Sequence, residues 1–269
     1  MGRARAGGSE GFHSADEGRN SEAGLTAASA IEASAADPSQ LVLMDGFSLC
    51  SGRAIRRLPA SAQRLLAFVA LQGRSVSRRR AAFTLWPDAS ETRAYGSLRT
   101  ALFRLRAVCP DGSVLECGRE FELSANVEVD VRKAYELAAR LERSGTRPCD
   151  TEELESLLEG GELLPDWYDD WVLVERERFH ELRQRALETL CELHLACREV
   201  ASAIRCASEA VRADPLRESS RRMLIGALLV EGNRAEALAH HRQFRQVLQP
   251  LGLVPSPRFD ELAHDLVGR

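Results

Sequence analysis

The sequence predicts a mainly α protein with a small β part: a winged helix-turn-helix domain followed by an all-α, tetratricopeptide-like helical repeat domain. Three observations carry this expectation. Between residues 41 and 125, short strand-like runs give way to three helical patterns and then to a β-hairpin pattern. Further on, apolar and small residues recur at an offset of 34 residues. Charge is also divided. Residues 41–125 hold thirteen basic and seven acidic side chains, net +6, whereas residues 126–269 hold twenty basic and twenty-seven acidic, net −7. A basic module followed by an acidic one suggests that only the first meets a polyanion.

Composition sets the outer limits. With 269 residues, 44% of them hydrophobic and 28% charged, the chain has the make-up of a soluble globular protein and room for two or three small domains. No apolar run approaches the length of a membrane span. The opening MGRARAGGSE has no apolar segment behind its arginines, so it is not read as a secretory signal. The seven cysteines (Cys50, Cys109, Cys117, Cys149, Cys191, Cys197, Cys206) form no C-x-x-C pair, which indicates neither a disulfide framework nor a zinc site. A reducing, cytoplasmic setting is expected, with association to the nucleoid. Residues 1–40 are rich in Ala, Gly, Ser and Glu and nearly free of large apolar groups, and they read as a disordered tail.

From Leu41 the pattern changes. LVLMDGFSLC and GRAIRRLP are short runs split at Asp45-Gly46 and Ser51-Gly52, two turn signals that suggest small antiparallel strands. Ser61 opens a helix with Ala62, Leu65, Leu66, Val69 and Ala70 on one stripe, ending near Gly73. Ser77 is an N-cap candidate for a second helix from Arg78 to about Trp86, with Pro87 behind it. The third helix runs from Ser90 to Cys109. Ala94, Leu98, Ala101, Leu102, Leu105 and Val108 form its core stripe, and Arg93, Gly96, Arg99, Thr100 and Phe103 its other side, flanked by Arg104 and Arg106. Ser90 is a plausible cap, and Pro110 stops the helix. Taken alone, such a basic face fits either a DNA major groove or a solvated surface. SVLECGREFELS then reads as two strands joined at Cys117-Gly118, with Arg119 near the tip.

These residues resemble a known family. LLAFVALQGRSVS, LWPD and SLRTALFRLR at their spacing, followed by a hairpin and VEVDVRKAYEL, look like the DNA-binding domain of the Streptomyces antibiotic regulatory proteins, a branch of the OmpR-type winged helices. Asn126–Val131 reads as a hinge into a helical half, in which AYELAARLERS is one amphipathic helix and Gly145–Pro148 a turn. GGELLPDWYDDWVLVERERF then resembles the opening of the bacterial transcriptional activator domain that follows the winged helix in those regulators. The repeat supports this independently: Leu190 matches Leu224, Leu195 matches Leu229, Ala203 matches Ala237, Ile204 matches Leu238, and Pro215 and Pro250 follow the second helix of each pair. The expected domains are therefore a tail (1–40), a winged helix (41–125) and an activator domain (126–269).

No catalytic constellation is present, so a non-enzyme without cofactors is expected. No G-x-x-x-x-G-K-[ST] occurs, which implies a member without the ATPase domain of the larger relatives. His180-Glu181 does not extend to H-E-x-x-H. His240-His241 are adjacent on a helix and point apart, so no metal site is assigned. Trp167, Trp171 and Phe179 read as packing anchors. The carboxylates Asp150, Glu152, Glu153, Glu155, Glu159, Glu162, Asp166, Asp169 and Asp170 read as a solvated or protein-docking surface. Arg93, Arg99, Thr100 and Arg104 are the candidates for groove contacts, since Arg forks onto guanine and Thr or Phe103 touches a thymine methyl. Arg78, Arg79 and Arg80 at a helix start suit a phosphate, and Arg119 at the hairpin tip suits the backbone or minor groove. The resemblance implies a transcriptional activator that binds direct repeats in promoter DNA as head-to-tail protomers. It further implies recruitment of RNA polymerase holoenzyme and control of secondary-metabolite genes. A tetratricopeptide-like scaffold without sequence-specific DNA binding is the alternative.

Overall fold

In the computed structural model the described residues are 39–52, 54–110, 114–143, 148–159 and 161–267, with only the backbone at 148–150 and 263–267. The expected tail (all but its last two residues) and most of the turn at 145–148 lie outside them. The first sheet is built from β1 (Ser39–Val42), β2 (Ser48–Ser51) and β3 (Ala54–Ile55), antiparallel as the turn signals require, with Leu41 opposite Leu49. Asp45 and Gly46 at the first turn, and Gly52 at the second, take the positive φ such turns demand.

Helices α1 (Ala60–Gln72), α2 (Arg78–Leu85) and α3 (Glu91–Val108) follow. Helix α1 starts one residue before Ser61, with Pro59 at its N-cap, and ends on Gly73 in the left-handed region. Ser77 caps α2 as expected, its hydroxyl accepting from the Arg80 amide at 3.2 Å. Ser90 stands at the N-cap of α3, but only its carbonyl engages, accepting from Ala94 at 2.8 Å. Ala94, Leu98, Ala101, Leu102 and Leu105 of α3 are buried. The hairpin β5 (Leu115–Cys117) and β6 (Glu120–Leu123) pairs with β4 (Val76–Ser77) in a three-stranded sheet, and Phe121 is fully buried beneath it.

The expected hinge at 126–131 is corrected. Val127–Val129 forms a strand, β7, parallel to β1, in the sheet order β3-β2-β1-β7. Its buried–exposed–buried alternation is the physical reason, although three residues are too few to stand out at period 2. Immediately after it, the Asp130 carboxylate opens α4 (Asp130–Glu142) and accepts the amides of Leu43 (2.9 Å) and Met44 (2.9 Å).

The remaining helices are α5 (Pro148–Glu159), α6 (Asp170–Ala196), α7 (Val200–Ala213), α8 (Glu218–Glu231), α9 (Arg234–Leu248) and α10 (Pro257–Val267). The 34-residue equivalence survives in burial. Leu190 and Leu224 are both buried, Ala203 and Ala237 are both fully buried, and Leu195 and Leu229 are both half-buried. Paired helices α6–α7 and α8–α9 thus stack as repeats. A single apolar core runs from Leu41 to Phe259.

The two halves are joined through the segment 161–171. Leu164 donates to the Leu43 carbonyl (2.9 Å), and Asp45 donates to that of Glu162 (3.0 Å). Gly161 donates to the Asp45 carboxylate at 2.9 Å, in a place where a Cβ would overlap that carboxylate. Trp167 stacks on Phe47 at 6.1 Å, and Trp171 meets Phe68 of α1 edge-on at 5.3 Å. Arg64 of α1 binds both Asp169 and the Leu85 carbonyl. Arg176 of α6 donates to the carbonyls of Leu163 (3.0 Å), Leu164 (2.5 Å) and Trp167 (3.0 Å) and pairs with Glu162. Arg132 of α4 donates to the carbonyls closing α1, at Ala70 (2.6 Å) and Val69 (3.2 Å). The tryptophans are therefore packing anchors, as expected, but they anchor the helical half to the winged helix.

Two predictions follow from this packing. Asp130→Ala strands the Leu43 and Met44 amides and lowers stability by about 1–3 kcal/mol; denaturant unfolding measures it, and an unchanged midpoint contradicts the lock. The second concerns acid. His240 and His241 are both held below the ordinary imidazole pKa, first by burial and then by Arg221 and Arg245 respectively. The unfolded chain takes up these protons before the folded one does, so stability is lost as pH falls below about 6.5. Thermal unfolding between pH 7.5 and 5 should decline less steeply in a His240→Gln/His241→Gln variant than in the wild type.

Candidate nucleic-acid interface

Helix α2, a five-residue turn and helix α3 form the helix-turn-helix, with the β5–β6 hairpin as the wing. Burial of Ala94, Leu98, Ala101, Leu102 and Leu105 fixes the rotation of α3, so its opposite face is set in solvent. Arg93, Arg99, Thr100, Arg104 and Arg106 are exposed on that side, and Phe103 is 74% exposed. A Cβ at Gly96 would meet nothing within 4 Å, so this stretch of the helix is open to close approach. Thr100 donates its hydroxyl to the Gly96 carbonyl (3.0 Å), which spends the donor locally and leaves the methyl as its outward feature.

The other candidates are tied to the scaffold. Arg78 lies over the Phe121 ring (4.8 Å) and donates to the Gly118 carbonyl (3.2 Å), linking the start of α2 to the wing. Arg79 lies over Phe83 (5.7 Å). Arg80 donates to the Gln72 side chain at 2.6 Å, and Arg104 to the Ser61 hydroxyl at 3.3 Å. Arg119 is exposed at the hairpin tip. The structure thus places Arg93, Arg99, Thr100 and Arg104 along one helix, Arg78, Arg79 and Arg80 at the start of its neighbour, and Arg119 on the wing.

Electrostatics distinguish this region. Among the described residues, no arginine from 78 to 119 forms an ion pair; their partners are one carbonyl, one hydroxyl, one side-chain amide and two aromatic rings. The helical half behaves in the opposite way, pairing Arg176 with Glu162, Arg183 and Arg212 with Glu209, Arg205 with Glu155, Arg217 with Glu188 and Arg245 with Asp260. Six arginines of the helical half are thus neutralised by carboxylates, whereas those at 78–119 keep their field.

The carboxylates at 150–170 are expected to form a solvated or docking surface, and two of them do not: Glu155 is buried and Asp169 is half-buried against Arg64. Glu152, Glu153, Glu159, Glu162, Asp166 and Asp170 are exposed as expected, with Glu153 paired to Lys133 and Glu162 to Arg176, and the side chain of Asp150 lies outside the described residues. The partners of Glu155 and Asp169 lie far away in sequence, so local reading had no signal for them. Among the described residues, no helix is long and apolar enough to cross a membrane.

Comparison with known proteins agrees with this architecture. The chain is 30% identical over 226 residues to the regulatory protein AfsR of Streptomyces coelicolor, covering 81% of this chain and 22% of that protein. It is 30% identical over 206 residues to AfsR of Streptomyces griseus, covering 74% and 21%. The chain therefore spans about a fifth of the length of these two relatives. Among solved structures it is similar to Mycobacterium tuberculosis EmbR, determined in complex with a low affinity phosphopeptide. That likeness has a TM-score of 0.63 at 18% identity and covers 86% of this chain and 65% of the other, which bears on the fold alone. A family model described as the bacterial transcriptional activator domain matches residues 129–267. Since this match takes in just over half of the sequence, and the flanking winged helix has the form that the resemblance to Streptomyces antibiotic regulatory proteins implies, the chain belongs to the bacterial transcriptional activator domain family.

Proposed function

We propose that this protein is a sequence-specific DNA-binding transcriptional activator. In this reading residues 41–125 bind promoter DNA at direct repeats, protomers sit head to tail, and residues 126–269 supply the contacts that recruit RNA polymerase. Its targets are genes of secondary metabolism, and its mechanism is binding. The observation that carries the proposal is the set of arginines at 78–119, exposed or tethered only by neutral groups, on a helix-turn-helix and its wing. Arg93, Arg99, Thr100 and Arg104 face the groove; Arg78, Arg79, Arg80 and Arg119 hold phosphates and position the helix. Phosphate neutralisation supplies salt-sensitive affinity, and contacts from α3 to base edges supply choice of sequence. The alternative, a helical-repeat scaffold indifferent to DNA, leaves the unneutralised basic face without a purpose.

The test is a genome-wide pull-down of DNA with the tagged protein and an Arg99→Ala/Arg104→Ala variant alongside, both shown to be folded by circular dichroism. Sharp enrichment upstream of a few operons, lost in the variant, is expected, with repeated half-sites at the peaks. Enrichment no better than the variant's would sink the proposal. On an isolated site, raising salt from 50 to 200 mM should weaken the wild type by about 10³-fold or more. The double variant should show a shallower salt slope, having lost two cations, and a salt-independent affinity would contradict phosphate contact.

A further inference from the structure

Three buried side chains from three helices meet in the helical half. Glu155 of α5, His194 of α6 and Cys206 of α7 are 8%, 9% and 3% exposed. Their ligand-type atoms (a carboxylate oxygen, an imidazole nitrogen and the thiol sulfur) all lie within 4.8 Å of one another. His194 Nε2 is 2.5 Å from Glu155 Oε1. The outer contacts are also in place. His194 Nδ1 lies 2.7 Å from Glu199 Oε2, and Arg205, at the solvent edge, donates to Glu155 Oε2 at 2.9 Å. An imidazole whose second nitrogen is held by a carboxylate, and a carboxylate whose second oxygen is held by a guanidinium, are oriented as metal ligands usually are.

From this convergence we propose that Glu155, His194 and Cys206 bind a divalent transition-metal ion, zinc foremost, at the junction of α5, α6 and α7. The donor set makes the choice. Sulfur and nitrogen donors disfavour calcium and magnesium, which take oxygen, whereas zinc accepts sulfur, nitrogen and oxygen together. Charge also balances, because a carboxylate, a thiolate and a neutral imidazole offset a dication. Tetrahedral bonds of about 2.0–2.3 Å place neighbouring ligand atoms about 3.3–3.8 Å apart. The set therefore has to draw in by about 1 Å at its widest while the ion separates the His194 ring from Glu155. On binding, the thiol proton passes to solvent and the sulfur lone pair forms the bond to the metal. Three protein ligands leave a fourth position for water. The ion ties α5 to the first helix pair of the repeats, a clamp that sequence could not announce with ligands at 155, 194 and 206.

The experiment uses the full chain, free of any tag and stripped with a chelator, titrated with cobalt(II) as a spectroscopic stand-in and with zinc(II). One equivalent of cobalt should produce a thiolate-to-cobalt charge-transfer band that zinc then bleaches. The band should be lost in Cys206→Ala and much weakened in Glu155→Gln, but kept in Cys197→Ala, whose exposed thiol lies nearby in sequence. Saturating zinc should raise the wild-type melting temperature on the order of 5 °C and leave Cys206→Ala unmoved. Absence of the band, or a band that survives both Cys206→Ala and Glu155→Gln, overturns the proposal.

Discussion

The structure depends on a knot of hydrogen bonds to the backbone around Leu43. Its amide, with that of Met44, goes to the Asp130 carboxylate, and its carbonyl takes the amide of Leu164. Three segments distant in sequence (the end of β1, the start of α4 and the loop before α6) thus share one short stretch of extended chain. Leu43 is fully buried, so its own amide and carbonyl cannot turn to water instead. Burial pushes the Asp130 carboxyl upward, and the amides it accepts work against that push. The winged helix is consequently built onto the same core as the repeats.

This has a mechanical consequence for helix α3. The orientation of α3 is set by its buried stripe against α1 and α2, and α1 is held from the other side by Arg132, by Trp171 on Phe68 and by Arg64 bound to Asp169. Groups that position α3 therefore lie in the segment that opens the helical half. The conspicuous run GGELLPDWYDDW has a physical account here. Gly161 leaves room for the Asp45 carboxylate, Trp167 and Trp171 fill apolar gaps, Asp169 answers Arg64, and the backbone carbonyls of the loop are collected by Arg176.

Periodicity made most of this fold legible. The core stripes of α1 and α3, the cap at Ser77, the hairpin at Cys117-Gly118 and the pairing of Ala203 with Ala237 could be read because each is a local pattern or a fixed offset. What escaped was non-local or too short. The strand Val127–Val129 has three residues and declares itself only beside β1. Glu155 looks like its solvated neighbours until His194 and Arg205 close on it. For the interface, the sequence offered the residue types, and their unneutralised state could not be known until the carboxylates of the helical half were found committed to other arginines.

The claim that one core unites the winged helix and the repeats is tested most directly by native-state hydrogen exchange on the full chain across a denaturant series. The account predicts that the most protected amides of β1, α3, α6 and α8 merge into a single global unfolding isotherm. Two families of amides, one in residues 39–123 and one in 170–248, each merging at its own free energy and slope, would contradict it and make the winged helix and the repeats independent bodies.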